Sequence, residues 1–145
     1  MNSTIEETLD RFGRIIQTTV GDSMQPMLKN RKNAVVIEKP DRCLKKYDIA
    51  LYRRPDGKYV LHRIIKVCKN EYITCGDNRW TKERVPHSWI IGVTTGFYSK
   101  GRFITVNDLR YRAYVILWCT FFPVRAFVLW FINSCRRVWN KCLRR

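Results

Sequence analysis

Acidic residues are scarce in this chain. Its 145 residues include 12 aspartates and glutamates against 28 lysines and arginines, which gives a formal net charge of +16. From Lys100 onward the imbalance is greater, because Asp108 is the only acidic residue in that part of the sequence. Such an excess of basic residues indicates an anionic neighbour, either nucleic acid or a membrane surface. The apolar fraction of 46% excludes an intrinsically disordered chain.

Residues that bind metal ions are also few, and their spacing does not suit a metal site. The chain has six cysteines, none of them in a CxxC pair, and its two histidines are His62 and His87. A structural zinc site needs about four such ligands, usually in closely spaced pairs. We therefore expect no metal site, and we expect the cysteines to be reduced thiols.

The N-terminal residues lack the long apolar run of a secretory signal, and several of them are acidic. Apolar side chains instead recur at helical spacing, at Ile5, Leu9, Phe12 and Ile16. This period predicts a short amphipathic helix in residues 1–17, with Gly13 weakening its last turn.

Residues 18–106 alternate between short β-branched or aromatic runs and turn residues. Clear examples of such runs are AVVIE (residues 34–38) and YVLHRIIKV (residues 59–67). Asp56-Gly57, just before the second run, is a strong signal for a tight hairpin. Strands at this spacing, without helical patterns between them, predict a mainly β domain built on a compact antiparallel sheet or a small barrel.

Residues 107–145 form an apolar and basic tail. The run AYVILWCTFFPVRAFVLWFI, residues 113–132, has the length of a transmembrane helix. Pro123 and Arg125 near its middle disfavour a single span, so we expect two shorter helices, kinked or folded back. Tryptophans with flanking basic residues favour a position at a membrane interface. The alternative is a helical hairpin that packs on the sheet of the domain itself.

The stretch TTVGDSMQPML, residues 18–28, holds the first candidate for chemistry. It sets the small polar triplet ending in Ser23 directly before apolar residues that could hold its backbone still. A serine hydroxyl is a weak nucleophile until a neighbouring base takes its proton. His62, in the run YVLHRIIKV, is the candidate base, because imidazole has an ordinary pKa near ~6.5. On a strand face between aliphatic residues such a histidine is otherwise often structural.

Four segments in order resemble the motifs of type I signal peptidases and of the wider S24/S26 group of serine peptidases, which includes self-cleaving repressors of the LexA type. The segments are GDSMQPML, LHRIIKV, ITCGDN and WIIGVTTG, within residues 20–96. The resemblance implies a small antiparallel β-barrel-like peptidase domain, endopeptidase activity and no cofactor. It places the nucleophile at Ser23. Bacterial signal peptidases have a lysine base at the position of His62. The endoplasmic-reticulum, archaeal and sporulation-type enzymes have a histidine there, so this chain is similar to them.

The resemblance leaves open which carboxylate orients His62. In the histidine-type relatives an aspartate six residues beyond the aspartate of the Gly-Asp-Asn motif has this role, and Glu83 stands at that place here. Asp77, the aspartate of the motif itself, is the other candidate. Each also has an ordinary interpretation, Glu83 as a solvated charge and Asp77 as a turn residue bonded to its own backbone.

The loop around Ser23 is expected to supply the oxyanion donors and part of the substrate groove. Some bacterial relatives carry a serine two residues before the nucleophile, where this chain has Gly21, so backbone amides are expected to stabilise the oxyanion. Asp22, Met24 and Pro26 complete the loop. Met24 either lines the groove or packs in the core.

The sequence thus predicts a membrane-associated serine endopeptidase that cleaves a leader, signal-like or precursor peptide. Basic residues flank the apolar run on both sides, which favours a cytoplasmic catalytic domain beside an anionic membrane surface. The alternative is a self-cleaving, repressor-like regulator that binds DNA through its basic surface. Because the basic cluster lies among tryptophans in an apolar segment, we do not expect a nucleic-acid partner.

Overall fold

The computed structural model describes residues 4–142, and an antiparallel sheet forms its centre. The eight strands of this sheet are β1 (Arg14–Thr18), β2 (Ala34–Glu38), β3 (Ile49–Arg53), β4 (Tyr59–Val67), β5 (Glu71–Cys75), β6 (Glu83–Pro86), β7 (Ile90–Ser99) and β8 (Arg102–Thr105). The three α-helices of the described residues are α1 (Ile5–Phe12), α2 (Leu109–Thr120) and α3 (Phe122–Cys142). This confirms a mainly β chain with a short N-terminal helix and a helical C-terminal segment.

Strand β4, which carries His62, lies inside the sheet. The strand order is β1-β2-β7-β3-β4-β5-β6, with β8 paired to β7. The predicted runs at residues 34–38 and 59–67 coincide with β2 and β4. The hairpin before β4 also forms, and its Gly57 adopts φ +81°, which glycine reaches without a steric penalty. Because β1 and β6 are the ends of the strand order, closure into a barrel stays a prediction.

The N-terminal helix is shorter than the apolar period indicates. It ends at Phe12, because Gly13 takes φ +72° and its amide donates to the Leu9 carbonyl. Residues 14–18 then pair with β2 as strand β1. Ile16 therefore lies on a strand, since the left-handed glycine turns the chain out of the helix before the period is complete.

The first helix of the C-terminal segment belongs to the core of the domain. Tyr111 and Val115 of α2 are buried in the main hydrophobic cluster, together with Met24 and several strand residues. The Asp108 carboxylate caps α2 by accepting from two backbone amides of its first turn. Residues 107–142 therefore divide into two parts, because α2 packs on the domain whereas α3 exposes many apolar side chains.

The C-terminal segment bends where the sequence predicts a break. Phe121 separates the two helices, and Pro123 lies in the first turn of α3, where a proline costs no hydrogen bond. Among the described residues, no single helix is long and apolar enough to cross a membrane. The pieces Leu109–Thr120 and Pro123–Phe131, bent by 72°, reach that length and composition only together, which is a weak indication of membrane contact.

Candidate active site

Ser23 lies in a turn that is anchored in the core. Gly21 enters the turn with φ +96°, and its amide donates to the Asn30 side-chain oxygen at 3.0 Å. Met24 is buried in the core cluster and also lines a cavity beside Ser23, so its packing in the core does not exclude a place in the substrate groove. Asp22 is exposed on the turn, and so is Pro26, which follows a cis peptide bond. Ser23 is half-buried between these parts.

The Gly-Asp-Asn motif packs directly against this turn. The Asn78 amide donates to the Ser23 carbonyl at 2.7 Å, and the Asn78 side chain donates to the Asp22 carbonyl at 3.2 Å. A Cβ atom on Gly76 would lie 2.6 Å from the Ser23 carbonyl oxygen, so no side chain fits at that position. Arg79 donates to the Asp22 carboxylate at 2.6 Å. Two motifs that lie far apart in the sequence therefore form one unit.

Ser23 and His62 line the same cavity, whose volume is about 520 Å³. The hydroxyl Oγ and the imidazole Nε2 are not hydrogen-bonded to each other. Within residues 4–142, neither atom has another hydrogen-bond partner. Catalytic hydrogen bonds are often long without substrate and shorten when it binds. A larger cavity, of about 820 Å³, lies between the β2–β3 connection and α2, away from both residues.

Tyr52 holds the imidazole of His62 in one tautomer. The Tyr52 hydroxyl donates to the Glu83 carboxylate at 2.7 Å and lies 3.2 Å from His62 Nδ1. Burial and the Glu83 hydrogen bond raise the pKa of Tyr52, so the phenol keeps its proton. Because that proton is donated to Glu83, the phenol oxygen accepts from Nδ1–H of the imidazole. Nε2 is then left unprotonated, as a general base requires.

Glu83 is linked to His62 through the Tyr52 hydroxyl and has no direct hydrogen bond to the imidazole. Arg54 donates two hydrogen bonds to the Glu83 carboxylate, at 2.7 and 2.6 Å. Burial works in the opposite direction, but the hydrogen bonds of Arg54 and Tyr52 hold the pKa of Glu83 below its ordinary value. The carboxylate is therefore ionised, with its nearer oxygen 3.9 Å from His62 Nδ1.

The His62 imidazole is neutral over most of the pH range. Its side chain is 13% exposed, and this burial lowers its pKa from 6.5 to about 4, against the opposing effect of the Glu83 carboxylate. The ordinary histidine pKa near ~6.5, which the sequence alone predicts for His62, therefore does not apply to the folded chain. At neutral pH the imidazole needs no deprotonation before it can accept a proton.

Asp77 lies on the other side of β4 and contacts Arg63. Its two carboxylate oxygens accept from Arg63 at 2.8 and 2.7 Å, and both side chains are 1% exposed. Of the two carboxylates that the resemblance offers, Glu83 is thus the one beside His62. Asp77 holds a buried guanidinium instead, because alternation along β4 points Arg63 away from the face of His62.

Three residues of the site, Tyr52, Arg54 and Arg63, were not predicted from the sequence. A signal for Tyr52 was available, because the Asp56-Gly57 hairpin fixes the register of β3 and β4. In that register Tyr52 pairs with Val60, and alternation then puts its side chain on the same face as His62. Arg54 and Arg63 carry no comparable signal, since charged residues are normally read as solvated.

The Ser23 amide has no hydrogen-bond acceptor among residues 4–142, whereas the Gly21 amide donates to Asn30. A free N–H at the nucleophile is the kind of donor that stabilises a developing oxyanion.

No protein-family model matches the chain, and no curated protein matches it significantly. The chemistry of the site therefore has to be derived from its own geometry.

Proposed function

We propose that the protein is a serine endopeptidase of the signal-peptidase type, in which His62 activates Ser23. The observation that carries this proposal is that both residues line one cavity while the Tyr52 hydroxyl lies 3.2 Å from His62 Nδ1, on the far side of the ring from Nε2. Nε2 takes the Ser23 proton as Oγ attacks the peptide carbonyl, and the Ser23 amide donates to the oxyanion. The imidazolium then protonates the leaving amine, and water hydrolyses the acyl-enzyme.

Glu83 and Tyr52 support this cycle at the moment when His62 becomes charged. Nδ1–H stays hydrogen-bonded to the Tyr52 oxygen while Nε2 accepts the Ser23 proton and then donates it to the leaving amine. The ionised Glu83 carboxylate, 3.9 Å from Nδ1, stabilises the transient imidazolium. This is the role that the third member of a serine–histidine triad has.

The cavity favours a peptide in extended conformation. Gln17 and Thr18 of β1 line it, and β1 is an end strand of the sheet. An extended segment can pair with such an edge through main-chain hydrogen bonds and present one bond to Ser23. A leader, signal-like or precursor peptide meets this requirement, and a β-barrel-like peptidase fold of the domain is part of the same proposal.

Peptide cleavage by matched variants tests the proposal. The protein is incubated in detergent with a set of precursor peptides, and the products are identified by mass spectrometry. Ser23→Ala should lower kcat/KM on the order of 10³-fold or more, because one member of the nucleophile–base unit is lost. Ser88→Ala, the same change at an exposed serine of a remote turn, should leave the rate unchanged.

Two results would contradict the proposal. Near wild-type cleavage by Ser23→Ala would remove Ser23 as the nucleophile. A protein that shortens its own chain while all peptides stay intact would favour the self-cleaving, repressor-like alternative, and the intact mass of the protein records that directly.

The tail attaches this domain to an anionic membrane in the same proposal. Exposed apolar side chains continue from α2 into α3: Ile116, Leu117, Phe121, Val124, Phe127, Val128, Trp130 and Phe131. Basic residues flank this segment in the sequence, and each one near an anionic bilayer adds roughly 1 kcal/mol. Basic residues on both flanks favour the cytoplasmic side for the catalytic domain.

Co-sedimentation with vesicles of anionic lipid tests the attachment. Phe127→Asp places a charge on the apolar surface of α3 and should weaken binding severalfold. Phe12→Asp is a matched control, because Phe12 is 65% exposed and Phe127 is 63% exposed, but Phe12 belongs to α1. Equal losses for the two variants would show that the tail is not the attachment surface.

A further inference from the structure

One face of helix α2 holds the buried Arg63–Asp77 pair. The Tyr111 hydroxyl accepts from Arg63 at 3.0 Å, and the Tyr114 hydroxyl lies 3.4 Å from the Asp77 carboxylate, to which it donates. The Trp118 indole N–H donates to the Asp77 backbone carbonyl at 3.0 Å. The spacing of the three aromatic residues puts them on one side of the helix.

The same motif holds the turn of the nucleophile. Asp77 lies between Gly76, which has no room for a side chain against Ser23, and Asn78, whose amide donates to the Ser23 carbonyl at 2.7 Å. A continuous path of contacts therefore runs from Trp118 through Asp77 and Asn78 to Ser23. Every link of this path is a hydrogen bond or a covalent bond.

Trp118 also lies at the junction of the two tail helices. It stacks on Tyr114 within α2, with ring centroids 5.7 Å apart. From α3, the Arg125 guanidinium lies over its ring, 5.3 Å from the centroid. The residue that binds the Asp77 carbonyl is thus fixed from both sides of the bend.

We infer that α2 is a positioning element for the nucleophile, and that Trp118 and Tyr114 act as positioning residues for Ser23. This inference rests on the proposed peptidase function for its catalytic consequence. The reacting atoms of an enzyme must be held within a fraction of an ångström, and a displacement of about 1 Å can cost about 100-fold in rate. The turn of Ser23 is bound to the Gly-Asp-Asn motif, so its position depends on the α2 residues that hold this motif.

The experiment combines amide hydrogen exchange with steady-state kinetics on the full chain. Trp118→Phe removes the indole N–H and keeps an aromatic ring, and Tyr114→Phe removes one hydroxyl. Both should speed exchange of the Asn78 amide severalfold and lower kcat about tenfold, with KM unchanged. Leu109→Ala, at an exposed position of the same helix outside the proposed membrane-binding surface, should change neither quantity.

The two readouts separate this inference from the proposed function. If the wild-type protein cleaves no peptide, the peptidase proposal fails, and faster Asn78 exchange in Trp118→Phe still supports the positioning role. Wild-type exchange at Asn78 together with wild-type kcat in Trp118→Phe would overturn the inference. Equal acceleration in β2 and in the Asn78 region would overturn it too, because general destabilisation would then explain the effect. If Trp118→Phe does not fold, Tyr114→Phe decides the question on the same readouts.

Discussion

An arginine–carboxylate ion pair lies on each side of strand β4, and the two pairs differ in their surroundings. On one face His62 reaches Glu83 through Tyr52, and Arg54 holds that carboxylate near the surface, with side chains 36% and 25% exposed for Arg54 and Glu83. On the other face, Arg63 and Asp77 form a pair that is almost completely buried. The two pairs therefore differ in burial and in position: the partly exposed pair lies beside the proposed base, whereas the buried pair lies next to the turn of Ser23.

Removing the base should give the largest effect. His62→Gln takes away the only imidazole in the cavity, and kcat/KM for peptide cleavage should fall by about 10³- to 10⁴-fold. The other histidine of the chain provides the control, since His87 lies on an exposed turn and stacks on Tyr72. Cleavage assays should show a wild-type rate for His87→Gln. Comparable losses in both variants would mean that the effect is not specific to the cavity.

Breaking the buried pair should give the next largest effect, and on stability first. Asp77→Ala leaves the Arg63 guanidinium buried without its carboxylate, which typically costs about 3–5 kcal/mol of unfolding free energy. Urea denaturation measures this loss. Glu71→Ala, which breaks the exposed pair with Arg84, should have a far smaller effect. An unchanged midpoint for Asp77→Ala would show that the pair does not stabilise the fold.

The pH dependence of stability should follow from the buried imidazole. The unfolded chain protonates His62 as the pH falls through 6.5, whereas the folded chain does so only near pH 4. Between these values the unfolded state holds more protons, so stability is lost as the pH falls. The displacement corresponds to a loss of about 3 kcal/mol. Urea denaturation at pH 7 and pH 4.5 should show a smaller loss in His62→Gln, and equal losses would contradict the low pKa.

The smallest effect is expected for the residue between the base and its carboxylate. Tyr52→Phe removes the oxygen that accepts from Nδ1–H, so the tautomer with Nε2 unprotonated is no longer selected. A loss of roughly tenfold in kcat is expected, the equivalent of about 1.4 kcal/mol. Tyr98→Phe, at an exposed tyrosine, should be neutral in the same assay. A loss as large as that of His62→Gln would mean that Tyr52 takes part in the chemistry itself.

The sheet was largely predictable from the sequence, whereas the support of the base was not. Alternation and β-branched runs identify β2 and β4, because such patterns reflect burial of one strand face. Strand β6, Glu83–Pro86, has no such pattern, since charged residues and a proline make up most of it. Yet β6 pairs Glu83 with Thr74 and so brings the carboxylate beside Tyr52. The choice between Asp77 and Glu83 therefore depended on a pairing that local pattern does not encode.

The burial of Tyr111 and Val115 has a consequence for how such a chain can exchange parts with others. The change in composition near residue 107 resembles a domain boundary, at which a membrane-binding segment could be added to or removed from an independently folded domain. A recombination event there would instead divide a hydrophobic core and remove three hydrogen-bonding partners of the Arg63–Asp77 pair. Helix α2 and the sheet must then be inherited together. A new attachment can be grafted without this cost only beyond the bend at Phe121.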